Sequence, residues 1–219
     1  MESFQPEKLY SHSGELMIRR VISAFIKRWG TPGAKQRIWD SEYKTGKWTY
    51  DRNGQHNEAG EPVYKLLKKY GTHGTILDLG CGSGMTALEM DNSFQSYVGV
   101  DVSDVAIEKA RIALSTESGR ASKVQFCVSD ISTFVPDREF SVILFRESIY
   151  YVPQPRLKGM LDTYCSNLTP GGVFIIRLCD RNKYRQIINL LEKTFQVVER
   201  YNPDDSPMTI LVCSPNKAG

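Results

Sequence analysis

The chain has 219 residues, which suits one domain with an elaboration, and at 41% hydrophobic it can bury a sizeable core. A net charge of +3 is too small to argue for nucleic acid. The five cysteines (Cys81, Cys127, Cys165, Cys179, Cys213) are odd in number, scattered, and form no C-x-x-C pair, so neither a zinc ribbon nor a disulfide framework is signalled. Reduced thiols in the cytoplasm are expected. The polar start "MESFQPEKLY" predicts no secretory leader, and no apolar run reaches membrane-spanning length.

In chain order, "GELMIRRVISAFIKRW" carries Ile18, Val21, Ile22, Phe25 and Trp29 as a helical stripe flanked by Arg19, Arg20, Lys27 and Arg28. Two readings apply. Either this is a cap helix packed on the domain by that stripe, or it makes weak contact with anionic lipid or a lipid-linked substrate. "TPGAKQ" reads as a break, and "IWDSEYKTGKWTYDRNGQHNEAG" as an ordered loop or lid. From about Glu61 strands and helices alternate. "EPVYKLLKKY" is a helix with Pro62 in its first turn, "TILDL" a buried strand, "MTALEM" helical and "SYVGV" the second strand. "SDVAIEKARIAL" is a helix capped by Ser103 or Asp104. "KVQFCVS" and "FSVILF" are strands three and four, "PRLKGMLDTYCSNL" a helix, and "GGVFIIRLC" strand five. "KYRQIINLLEKTF" is a helix before two closing strands, "QVVERY" and "MTILVCS". The expected fold is α/β: a Rossmann-like doubly wound sheet of seven strands with an N-terminal helical and lid segment. "NPDDSP" is too short for a parallel crossover, so the last strand must run antiparallel. The expected domains are a cap and lid over 1–60 and a cofactor-binding domain over 61–219.

The glycine turn "LDLGCGSG" lies at the carboxyl edge of the first strand, where open α/β sheets take ligands. Gly80 and Gly82 let backbone approach a ligand closely. Met85 stands where a dinucleotide fingerprint needs glycine, and no lysine follows as in a phosphate loop. Asp78 beside the turn also disfavours phosphate. Asp101, ending the second strand, can accept from both ribose hydroxyls. Asp130, ending the third, can accept from an exocyclic amine, while the Ile131 N–H donates to the ring.

"LDLGCGSG", "VGVDVSDVAIEKA", "VQFCVSDI", "FSVILFRESIYYV" and "LTPGGVFII", in this order and spacing, resemble the successive motifs of class I S-adenosylmethionine-dependent methyltransferases. The resemblance covers roughly 61–180. It implies S-adenosylmethionine as cofactor and S-adenosylhomocysteine as product. Asp78, Gly80 and Gly82 would hold the methionine moiety, Asp101 the ribose, and Asp130 with Ile131 the adenine. Cys81, Val102 and Arg146 complete the expected set. "WDSEYKTGKW" resembles the amino-terminal segment of small-molecule methyltransferases related to the thiopurine group. That implies a lid in which Trp39, Tyr43 and Trp48 close over the cofactor and acceptor, unless these aromatics simply pack the cap on the sheet.

Methyl transfer from a sulfonium is an in-line displacement and needs a base only when the nucleophile carries a high-pKa proton. The catalytic candidates are Tyr151, Tyr150, Glu147 and His56. Tyr151 stands where many small-molecule members have a histidine. A tyrosine could orient substrate, act as a base if its pKa is lowered, or stabilise the methyl through its ring. Glu147 could hold an amine or take a proton. Arg146 stands where magnesium-dependent members have an aspartate, so no metal is expected. "FRES" is not the N/D-P-P-Y-type motif of enzymes that methylate nucleic-acid amines. A small-molecule acceptor is the leading expectation. The alternatives are a protein or RNA acceptor, or a cofactor-binding scaffold. The acceptor atom and oligomeric state stay open.

Overall fold

The computed structural model describes residues 7–48 and 62–216, with side chains from residue 17 onward. Seven strands form one sheet: β1 (Thr75–Leu79), β2 (Ser96–Asp101), β3 (Val124–Val128), β4 (Phe140–Arg146), β5 (Leu168–Leu178), β6 (Phe195–Tyr201) and β7 (Thr209–Pro215). Their spatial order is β3-β2-β1-β4-β5-β7-β6. The pairs among β1 to β5 are parallel, whereas β7 is antiparallel to both β5 and β6. The short link before β7 forces this reversal, as expected. The order reverses between β1 and β4, which opens a crevice at their carboxyl ends.

The central strands are apolar on both faces because helices cover both sides. Along β4, Val142 and Leu144 face one helical layer while Ile143 and Phe145 face the other. The first layer holds Val63 and Leu67 of α3 (Pro62–Gly71), Ala87 of α4 (Met85–Glu89), and Ile107, Ala110 and Leu114 of α5 (Asp104–Ser115). The second holds Leu157, Leu161 and Tyr164 of α6 (Gln154–Cys165) and Ile187, Ile188 and Leu191 of α7 (Arg185–Thr194). Ser103 caps α5 by accepting from the Ala106 N–H at 3.1 Å.

Two helices precede the sheet: α1 (Glu7–Trp29) and α2 (Pro32–Lys44). Here the structure corrects the sequence reading twice. "TPGAKQ" starts a helix as well as ending one. Thr31 caps α2 by accepting from the Ala34 N–H, and Pro32 stands in the first turn, where its missing N–H costs nothing. Trp39 and Tyr43 are therefore helical residues, not loop. The apolar stripe of α1 does not pack on the domain either, because Ile18, Val21, Phe25 and their neighbours are exposed. The opposite face, with Lys27, docks instead. Residues 49–60 of the expected lid, with His56, lie outside the described residues.

α2 is tied to α5 by polar contacts. Gln36 donates to Asp104, Asp40 accepts from the Ser103 hydroxyl at 2.6 Å, and the Lys109 ammonium donates to the Tyr43 carbonyl at 2.6 Å. Asp40 also accepts from the Val105 N–H at 3.3 Å, so α2 contributes to the N-terminal cap of α5. These bonds place the aromatic face of α2 over the crevice.

Candidate active site

The crevice is a cavity of about 350 Å³, within the range of small-ligand sites. Asp78, Gly80, Cys81, Gly82, Asp101, Val102, Asp130, Ile131, Arg146, Glu147, Tyr150 and Tyr151 line it from the sheet side. Trp39, Tyr43 and Trp48 line it from the N-terminal side. Of the residues singled out from the sequence, all but His56 therefore meet at one place.

The glycine turn is shaped by left-handed backbone. Gly80 has φ +86° and Gly82 φ +55°. A Cβ on Gly80 would stand 2.4 Å from the Ser148 Cβ, and one on Gly82 would stand 2.6 Å from the Tyr43 hydroxyl. Tyr43 of α2 thus lies directly against the turn.

The three strand-end acids differ in environment. Asp78 is buried, and its Oδ2 accepts from the Tyr97 hydroxyl at 2.5 Å. Burial pushes its carboxyl up to about 6, against the opposing pull of Tyr97 and the Arg146 charge. Its Oδ1 is buried without a hydrogen-bond partner among the described residues. Asp101 is also raised to about 6 by burial, partly offset by backbone donors. Its Oδ2 accepts from the Gly82 N–H and its Oδ1 from the Ser103 N–H, both at 2.9 Å. One lone pair on each oxygen is left for a ligand. Asp130 is paired with Lys35 at 2.7 Å in a buried ion pair, and its other oxygen takes the Ser132 N–H and hydroxyl. Burial would raise the Asp130 carboxyl, but Lys35 and Ser132 outweigh it and hold it below the usual range. An amine arriving at Asp130 must share the carboxylate with Lys35.

Beyond β4 the chain enters a 3-10 turn, Ile149–Tyr151. Glu147 adopts φ +58°, unusual for a side chain with a Cβ. Its carboxylate pairs with the Arg177 guanidinium and accepts from the Tyr150 hydroxyl and the Cys179 N–H, each at 3.0 Å. These bonds make Glu147 part of the wall itself, with one oxygen on Arg177 and the other on Tyr150 and Cys179. Tyr150 stacks on Tyr184 at 4.3 Å, and Tyr151 meets Trp39 edge-on at 4.9 Å. Burial pushes both tyrosine hydroxyls well above their ordinary value, the direction opposite to the lowering that a base role calls for. Orientation of a substrate by the rings remains.

Several lining residues escaped the sequence reading: Lys27, Lys35, Thr86, Ser148 and Arg177. Ser148 is buried and donates to the Leu79 carbonyl, fastening β1 to the turn after β4. Arg177 pairs in register with Arg146 across β4 and β5, which the strand alignment alone could have suggested. Lys27 sits 2.7 Å from Glu42 and 3.7 Å from the centre of the Trp39 ring. Desolvation lowers its ammonium pKa despite Glu42. Glu42 also accepts from Lys47 at 2.8 Å and from the Trp48 indole N–H at 2.7 Å. One carboxylate therefore pins the lysine and one of the two tryptophans that form this wall. Among the described residues no cluster of metal-ligating side chains occurs.

The two raised carboxyls carry a pH prediction. Between about pH 4 and about pH 6 the folded chain holds protons that the unfolded chain has released, so unliganded stability falls as pH rises through that window. A ligand that needs ionised acids behaves in the opposite sense. Affinity for a ribose-bearing ligand should be full above about pH 6 and fall by up to about tenfold per unit and per proton below it. Calorimetry across that range checks both slopes.

A family model for a methyltransferase domain matches residues 71–213. The 2-heptyl-1-hydroxyquinolin-4(1H)-one methyltransferase of Mycobacteroides abscessus is 30% identical over 126 residues, covering 56% of this chain and 55% of that protein. A ubiquinone biosynthesis O-methyltransferase of Thiobacillus denitrificans is 30% identical over 108 residues, 49% of this chain and 45% of that protein. The chain spans about half the length of these relatives. Among solved structures, the N-methyltransferase NodS of Bradyrhizobium japonicum WM9 in complex with S-adenosyl-l-homocysteine superposes with a TM-score of 0.63 at 17% identity. That match covers 82% of this chain and 99% of that one, a likeness of fold. The thiopurine-type resemblance of "WDSEYKTGKW" finds no support in these matches. The domain match and the sheet order agree: the chain belongs to the methyltransferase-domain family, among the class I S-adenosylmethionine-dependent methyltransferases.

Proposed function

We propose that the protein transfers a methyl group from S-adenosylmethionine to a small-molecule acceptor by in-line displacement. The observation that carries this reading is a single cavity in which the glycine turn and three strand-end acids face an aromatic wall. The residues fit the cofactor. Asp101 has lone pairs left for two ribose hydroxyls, Gly80 and Gly82 present bare backbone to a ligand, and the orphaned Oδ1 of Asp78 suits an ammonium. When bound, S-adenosylmethionine supplies a methyl already activated by the sulfonium charge. Asp78, Gly80, Cys81 and Gly82 would then hold the methionine end, Asp101 and Val102 the ribose, and Asp130 and Ile131 the adenine. Residues 1–60 would act as cap and lid, and 61–219 as the catalytic domain.

The remaining walls define the acceptor end: Trp39, Trp48, Tyr150 and Tyr151 with Lys27, Arg146 and Arg177. The rings favour a flat or apolar acceptor and exclude water from the transfer path. Glu147, locked to Arg177 and Tyr150, holds the 3-10 turn so that Tyr151 presents its ring. The relatives named above act, by their names, on a quinolone and in ubiquinone biosynthesis, which supports a small acceptor.

If Tyr151 works through its ring, Tyr151→Phe should keep methyl transfer within about threefold, whereas Tyr151→Ala should lose it by at least about tenfold. The measurement is S-adenosylhomocysteine release from S-adenosylmethionine with a panel of aromatic hydroxy, amino and thiol acceptors. Equal losses in both variants would restore a role for the hydroxyl. Absence of turnover with any acceptor, alongside normal cofactor affinity, would favour a binding scaffold.

A further inference from the structure

We propose that the outward face of α1 is a docking surface for an anionic lipid membrane, on which the helix lies parallel to the surface. At roughly 100° per residue, Met17, Ile18, Val21, Ile22, Phe25 and Trp29 fall within an arc of roughly 140°. All six are exposed, from 47% for Trp29 to 70% for Met17. Eleven large hydrophobic side chains are exposed among the described residues, and six of them share this one face, so it is a patch and not scatter.

The charge pattern identifies the occupant. Between Met17 and Trp29 there are four basic residues and no acidic one. Lys27 turns inward to Glu42. Arg19 and Arg20 are exposed and lie roughly 60° beyond either edge of the apolar arc, while the half-buried Arg28 falls inside it, near Met17. An apolar stripe edged by cations on both sides is the pattern of an interfacial helix, with the guanidinium groups at the level of lipid phosphates. Trp29 ends the stripe, and its indole suits the boundary between acyl chains and headgroups. A second copy fits less well, since two such faces packed together would set Arg19, Arg20 and Arg28 against arginines of the other copy. The helix lies on the membrane and does not cross it, because no helix among the described residues is long and apolar enough to span. Lys27, on the inward side of the same helix, lines the cavity. Docking would therefore bring one wall of the site within about one helix diameter, roughly 10 Å, of the lipid surface.

Membrane docking through α1 does not depend on methyl transfer. Its test is co-sedimentation of the full chain with vesicles of phosphatidylcholine alone or phosphatidylcholine with phosphatidylglycerol. The chain should bind only the anionic vesicles, and added salt should weaken the binding. Val21→Glu with Phe25→Glu should remove it, and Arg19→Glu with Arg20→Glu should weaken it at least about tenfold. These side chains are exposed, so circular dichroism and S-adenosylhomocysteine affinity should match the unaltered chain. No binding to anionic vesicles, or equal binding to both kinds, would overturn the proposal. So would a concentration-dependent dimer in vesicle-free buffer that Phe25→Glu dissociates, since that would assign the face to a second copy.

Discussion

Gly80→Val should abolish detectable S-adenosylhomocysteine binding. At φ +86° a branched residue is strained by about 1–3 kcal/mol. Its Cβ would also stand 2.4 Å from the Ser148 Cβ, and the overlap adds about 1–3 kcal/mol. Ser148 cannot retreat freely, because its hydroxyl is bonded to the Leu79 carbonyl at the end of β1. Relief must come from the turn itself, which moves the backbone that would meet the ligand. Gly159→Ala is the matching control. It lies in α6 with nothing within 4 Å of the new Cβ and should stabilise the chain by about 0.5–1 kcal/mol. Thermal melts and calorimetry of the two variants separate damage to the fold from damage to the site. Wild-type affinity in Gly80→Val would mean that the turn does not face the ligand.

Removing residues 1–48 should leave a folded sheet domain that binds S-adenosylhomocysteine at least about tenfold more weakly and transfers methyl groups at least about 100-fold more slowly. All seven strands and α3 to α7 lie after residue 61. The truncation returns Asp130 to water and does not strand it, whereas Lys35→Met in the full chain would leave a buried carboxylate without its cation. The point substitution should therefore lower the melting temperature more than the truncation does. Hydrogen exchange at the start of α5 should rise in the truncated chain, since Asp40 no longer accepts from Ser103 and Val105. Unchanged cofactor affinity after truncation would reduce α1 and α2 to a packing element.

The sheet was legible in the sequence because its central strands are short apolar runs, with a glycine directly after β1 and an acid at the end of β2. The antiparallel final strand followed from the length of one loop. The strand-end acids that meet in the crevice were legible for the same reason, since those runs fix where the strands end. What escaped depends on tertiary context. "TPGAKQ" looked like punctuation because Pro and Gly end helices, yet Thr31 and Pro32 are also good starting residues, and the contacts of α2 with α5 decided the outcome. Apolar periodicity alone does not separate a buried stripe on α1 from an exposed one, and the structure shows an exposed one. Nor does a strand-end position reveal what Asp101 does for the fold. The structure gives that carboxylate two backbone N–H partners, so Asp101→Ala orphans both and costs about 1–3 kcal/mol for each. The commitments of Glu147 to Arg177, Tyr150 and Cys179 span distant positions, and no local pattern announces them.

The central claim is that the crevice at the carboxyl ends of β1 and β2 holds S-adenosylmethionine, with Asp101 on its ribose. Calorimetric titration of the full chain with S-adenosylhomocysteine, beside Asp101→Asn, tests it directly. Near neutral pH the unaltered chain should bind one equivalent. Asp101→Asn, which keeps the shape but turns one acceptor into a donor, should bind at least about tenfold more weakly. No binding by the unaltered chain, or equal affinity in the two proteins, would contradict the account.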